Sequence, residues 1–120
     1  MTVSNTVEAT PLVPMDETFE KATVEAAELG GVTFYRITVD PGWVWSDHYG
    51  SEIGEESCPQ RHRLFMLSGE MTVEMDDGTR ETLREGDASV IPPGHDAWTE
   101  GDERAVFLDI DPGRGGEHDE

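Results

Sequence analysis

Positive charge is scarce in this chain. Eight basic residues stand against 27 aspartates and glutamates, and only one of the eight, Lys21, is a lysine; the net charge is −19 over 120 residues. Such a surface repels phosphate backbones and anionic lipid headgroups, so neither nucleic acid nor a membrane surface is an expected partner. The acids run from Glu8 to Glu120 without clustering. That scatter fits a high-salt cytoplasm, where the Debye length shrinks to about 3 Å at 1 M and self-repulsion is screened, better than it fits a basic partner or cationic ligand. Cysteine is nearly absent too. Cys58 stands alone, which excludes an intrachain disulfide and leaves a buried small hydrophobe or a reactive or ligating thiol. No apolar run approaches the roughly 20 residues of a membrane-spanning helix. Met1 to Met15 lack the basic start and apolar stretch of a secretory signal, so a cytoplasmic protein is expected. There is no G-x-S-x-G elbow for a serine nucleophile and no Gly-rich phosphate loop.

What the chain does have is turns. Gly30-Gly31, Asp40-Pro41-Gly42, Asp76-Asp77-Gly78, Glu85-Gly86-Asp87, Pro92-Pro93-Gly94 and Glu100-Gly101-Asp102 punctuate it. Between them the sequence alternates with period two. Met71, Val73 and Met75 face away from Thr72 and Glu74, and Val106, Leu108 and Ile110 face away from Ala105, Phe107 and Asp109. Asp77-Gly78 is the pair a tight hairpin turn needs. No segment of ten or more residues carries a helical period. The reading is one all-β domain, an antiparallel sandwich or barrel. Residues 1–20, with Pro11 and Pro14, read as an arm, and residues 113–120 as a disordered acidic tail.

Two stretches carry the chemistry. The run from Gly86 to Trp98 includes Pro92-Pro93-Gly94-His95, and the run from Glu56 to Gly69 includes Cys58 and His62. Together they resemble the two motifs of the cupin superfamily, whose second motif is G-x5-P-x-G-x2-H and whose first is G-x5-H-x-H-x(3,4)-E-x6-G. Gly86, Pro92, Gly94 and Gly69 fall on the family's spacing. The resemblance spans about residues 31–111 and implies a double-stranded β-helix, or jelly-roll barrel, over residues 21–112. It also implies a homodimer, because many cupins pair. The run W-x-W-x-x-H, C-x3-H, P-P-G-H-D-x-W is similar to that of a subgroup of small stand-alone members.

At the ligand positions the sequence departs from the family. His62 takes the place of the glutamate and Cys58 that of a histidine, with Glu56 two residues before it. Gly42 and His48 match the start of the first motif if residues 49–57 are an insertion. In the second motif Ala97 holds the histidine position, and His95 lies two residues earlier, on the same face of an extended strand. Imidazole and thiolate suit borderline metals, and loss of the glutamate disfavours Mn²⁺ and Mg²⁺. The expected metal set is therefore His48, Cys58, His62 and His95 around one divalent ion, Zn²⁺ or Fe²⁺. Trp45 and Trp98 are expected to line the pocket, and a small organic molecule is the expected partner. Three functions stay open: a metal-dependent enzyme, a ligand-binding or sensor protein, and a metal-free structural barrel.

Overall fold

The computed structural model describes residues 7–114. Ten strands account for most of it: β1 (Val13–Pro14), β2 (Ala22–Leu29), β3 (Val32–Val39), β4 (Gln60–Ser68), β5 (Glu70–Met75), β6 (Arg80–Leu83), β7 (Ala88–Ile91), β8 (His95–Glu100), β9 (Ala105–Ile110) and β10 (Gly113–Arg114). Among the described residues, helical structure is confined to a π-helical turn (Ser46–Gly50) running into one α-helical turn (Ser51–Ile53). Among the described residues no helix is long and apolar enough to cross a membrane.

The strands form two sheets. Seven strands lie in one, in the order β1-β2-β3-β9-β4-β10 with β7 also on β4, and three lie in the other, in the order β6-β5-β8. All pairings are antiparallel. This corrects the expected barrel, because neither sheet closes on itself. Closure requires an unbroken ladder of strand pairs. Here single-residue bridges tie the loops flanking the larger sheet to β8 of the smaller one instead, Val44 to Trp98 and Cys58 to His95. What they share is a core. Leu64 and Met66 of β4 and Phe107 of β9 pack with Met71 and Val73 of β5 and Ala97 of β8.

The local chemistry follows the sequence. Gly78 closes the β5–β6 turn at φ 91°, and the Thr79 N–H donates to Asp77 Oδ1 at 2.9 Å. Asp87 accepts from the Arg84 N–H at 2.8 Å, holding the Gly86 turn. Gly69, at φ 76°, is where the chain leaves the large sheet for the small one. A Cβ there would lie 2.4 Å from the Arg104 carbonyl oxygen, so only glycine fits. Within the expected N-terminal arm, β1 pairs with β2 and Phe19 bridges Ala22. At the other end Gly113 and Arg114 pair with β4, while the rest of the expected tail, with His118, lies outside the described residues.

Candidate metal centre

Three elements deliver the site. His62 lies on the inner face of β4 with Leu64 and Met66. His95 opens β8, where it alternates inward with Ala97 and Thr99 and is 4 % exposed. Cys58, 2 % exposed, lies in the loop before β4. Its own backbone ties that loop to β8: the Cys58 N–H donates to the His95 carbonyl at 2.6 Å, and the Gly94 N–H donates to the Cys58 carbonyl at 2.8 Å. The ligand atoms of Cys58, His62 and His95 all lie within 4.8 Å of one another.

Both imidazoles are oriented for ligation. His62 Nδ1 is 2.8 Å from Asp109 Oδ2, and His95 Nδ1 is 2.8 Å from the Pro92 carbonyl. A carboxylate and a carbonyl only accept, so each Nδ1 carries a proton, and the Nε2 of His62 is the nitrogen turned to the thiol, free to ligate once any proton on it is released. This is the support that ligating histidines usually have. Cys58 Sγ sits 3.5 Å from His62 Nε2. Metal–sulfur and metal–nitrogen bonds of about 2.3 and 2.0–2.1 Å at a tetrahedral angle put the two donors about 3.6 Å apart. The existing separation therefore fits a shared ion as well as a hydrogen bond. The donor set fits a borderline divalent metal.

Without an ion, Cys58 and His62 favour a thiolate–imidazolium pair. Burial pushes the Cys58 thiol up, but hydrogen bonds with His62 and His95, the Gln60 backbone and the charge on His62 outweigh it and bring it to about 6. Burial pulls His62 down, yet hydrogen bonds to Asp109 and Cys58 and the charges of both raise it to about 9. Asp109 is 2 % exposed, and its second oxygen, Oδ1, has no partner. Sequence reasoning assigned Asp109 no role. The signal was present, because strand parity places this acid on the same face as Ala105 and Phe107, where an unsupported carboxylate is costly.

His48, expected as a fourth ligand, is not among the three. The chain coils into the π-helical turn at Ser46, whose N–H and hydroxyl both bond Asp96, at 3.0 and 2.7 Å. His48 then turns its Nδ1 to the Val44 N–H at 2.9 Å, and its Nε2 stands 3.8 Å from Glu20 Oε2. Glu56 is exposed and also lies outside the group.

A cavity of about 280 Å³ opens between the sheets, with His62, His95 and Asp109 in its wall. Trp45 lines it, while Trp98 does not. One residue out of step with Ala97, Trp98 lies on the opposite face of β8, where Arg80 stacks on its ring and Glu100 accepts from its Nε1 at 3.1 Å. Cys58 itself faces a second opening, which Trp45 and Tyr49 also line.

Comparison with known proteins matches the fold. The family model described as "Cupin domain" matches residues 36–111. The chain belongs to the cupin family. Among solved structures it is similar to a cupin 2 conserved barrel domain protein from Rhodopseudomonas palustris (15% identity, 92% of this chain and 74% of that one, TM-score 0.59). It is also similar to the Cupin_2 domain of an XRE-family transcriptional regulator from Enterobacter cloacae (13%, 76% and 95%, TM-score 0.55). A third likeness is to the S161A mutant of Bacillus subtilis oxalate decarboxylase (25%, TM-score 0.54), where 88% of this chain spans 28% of the other. The first two share the fold alone. No curated protein matches the chain in sequence.

Proposed function

We propose that this cupin is a metal-dependent enzyme that binds one Zn²⁺ or Fe²⁺ through Cys58, His62 and His95 and acts on a small organic molecule in the adjoining cavity. One observation carries the reading. His62 and His95, each with its Nδ1 held by a fixed acceptor, offer ring nitrogens within 4.8 Å of the Cys58 thiol. Three protein ligands leave a coordination position for water or substrate, the arrangement of catalytic rather than structural zinc sites. Such an ion, when bound, supplies a Lewis acid that polarises an oxygen or lowers the pKa of water. The chain's own residues then orient and enclose. Asp109 fixes the His62 ring, Pro92 fixes that of His95, and Trp43 and Phe107 form apolar wall that excludes water. Oxalate, named for one structural relative, is a poor match, because no lysine or arginine is among the described residues lining the cavity.

The test is elemental analysis of protein purified without an affinity tag, with cobalt substitution to reveal thiolate ligation. One ion per chain and a thiolate-to-cobalt charge-transfer band are expected. Cys58→Ser, His62→Ala and His95→Ala should each weaken binding about tenfold or more, while His48→Ala should retain it. Failure of the wild-type protein to hold Zn²⁺ or Fe²⁺ at micromolar concentration would overturn the reading. The hydrogen-bonded line Cys58–His62–Asp109 favours a second reading, a thiolate nucleophile with an oriented base. Alkylation separates the two. A metal-bound Cys58 is labelled faster after chelation, and a nucleophilic one is labelled equally with and without chelator.

A further inference from the structure

The walls of the cavity carry charge of one sign. Glu17 and Glu20 stand at its exposed rim, Asp109 lies in its buried wall with Oδ1 unpartnered, and no described lining residue is Lys or Arg. The arginines flanking His62 do not face it, and Arg63 donates to the carbonyls of Ile110 and Asp111 at 3.2 Å. This sign survives metal binding. A divalent ion on a thiolate site cancels Cys58 and Asp109 and leaves the two rim carboxylates. Inside the rim the wall is aromatic. Phe19, Tyr49 and Trp45 form a continuous strip, with ring centroids 6.0 and 5.9 Å apart, and Trp43 and Tyr35 also line the cavity. Aromatic faces and carboxylates share one electrostatic preference. Both attract a cation, and the faces tolerate one too bulky and apolar for a hydrogen bond.

We infer that the cavity takes an organic cation, a substituted ammonium with an apolar body, entering past Glu17 and Glu20 and seating its charged end against the Phe19–Tyr49–Trp45 strip. The inference rests on the proposed use of this cavity as the substrate site and not on the metal itself. A dianion or a phosphorylated molecule would meet repulsion at the rim and no compensating donor inside.

Three probes of nearly one shape decide it: choline, its neutral isostere 3,3-dimethylbutan-1-ol and the anion 3,3-dimethylbutanoate. Each is titrated calorimetrically at one fixed ionic strength into chelator-stripped and metal-loaded full-length protein. Choline should bind about tenfold more tightly than the alcohol, and the anion most weakly. Equal affinity for choline and the alcohol would reduce the cavity to an apolar hole and overturn the inference. So would tightest binding of the anion, or no binding of any probe. The double variant Glu17→Gln/Glu20→Gln should weaken choline at least about threefold and leave the alcohol unchanged. Glu81→Gln/Glu85→Gln, exposed acids away from the cavity, should leave both unchanged. Equal losses in the two double variants would assign the effect to overall charge and overturn the inference. Choline preference in a chain that holds no metal sinks the metal reading alone, and a metal-loaded chain without that preference sinks only this one.

Discussion

His62 and His48 each face a carboxylate, and their side chains are almost equally shielded, at 17 % and 14 % exposure. The partners differ. Asp109 is buried on a strand with 3 % of its side chain exposed and meets His62 at 2.8 Å, whereas 60 % of Glu20 is exposed and it stands 3.8 Å from His48. In the strand-borne region a charge-assisted hydrogen bond operates at low dielectric. At the rim, water and salt screen a longer contact. The comparison teaches that the burial of the acid, more than that of the histidine, separates a built site from a surface pairing.

The sharpest way to break the comparison is Asp109→Ala. Freed from its acceptor, the His62 ring should lose orientation, and metal affinity should fall about 10–100-fold in a chelator competition. Urea unfolding of the same variant should show a loss of about 1.5–3 kcal/mol, the value of a hydrogen bond to a charged group. An effect no larger than that of the equivalent change at Glu20 would dissolve the distinction.

Gly50→Ala probes the helical turn instead. A Cβ there would lie 2.6 Å from both the Glu55 carbonyl oxygen and the Trp45 ring. Overpacking should cost about 1–3 kcal/mol and shift tryptophan fluorescence. Metal affinity should hold, since none of the three ligands is on that turn; a matching drop in affinity would show that the two regions are coupled.

The pH dependence separates them further. His62 is raised to about 9, so its contribution to stability is complete below about 6.5 and is lost as pH rises through about 9. Cys58 is depressed to about 6, so its contribution is complete above about 9 and is lost as pH falls through about 6. The two slopes oppose each other, and the metal-free wild type should vary little between pH 6 and 9. Cys58→Ser removes one slope. Its stability should then fall by roughly 1–2 kcal/mol from pH 6.5 to 9 in denaturant titrations, and a flat profile would contradict the His62 assignment. Last and smallest, Glu20→Gln should change stability by less than about 0.5 kcal/mol and leave metal content untouched.

Much of this was legible in the sequence, and the rest was not for physical reasons. Alternation from Met71 to Met75 and the Asp77-Gly78 turn mark a hairpin, because period two and positive φ are local properties. The cupin spacing placed Gly69, Gly86, Pro92 and Gly94 in their turns. Sheet closure was not legible, since it depends on which edges meet in space. The segment carrying His48 has only eight helical residues, too few to show a period, and its coiling is anchored by Asp96, fifty positions away from Ser46. Trp98 was misplaced against evidence the strand itself supplied. If His95 and Ala97 face inward, parity sends Trp98 outward.

The single-residue bridge between Cys58 and His95 has a mechanical consequence. Two of the three candidate ligands are latched to each other through their backbones, one in a loop and the other at the start of a strand in the smaller sheet. Whatever parts that loop from that strand pulls the ligands apart before the core of either sheet is disturbed. The site thus acts as a clasp whose opening is a local event with its own free energy. Amide hydrogen exchange at Cys58 and Gly94 reads that opening directly, and a bound ion should slow both amides together while leaving the β5–β6 hairpin unaffected.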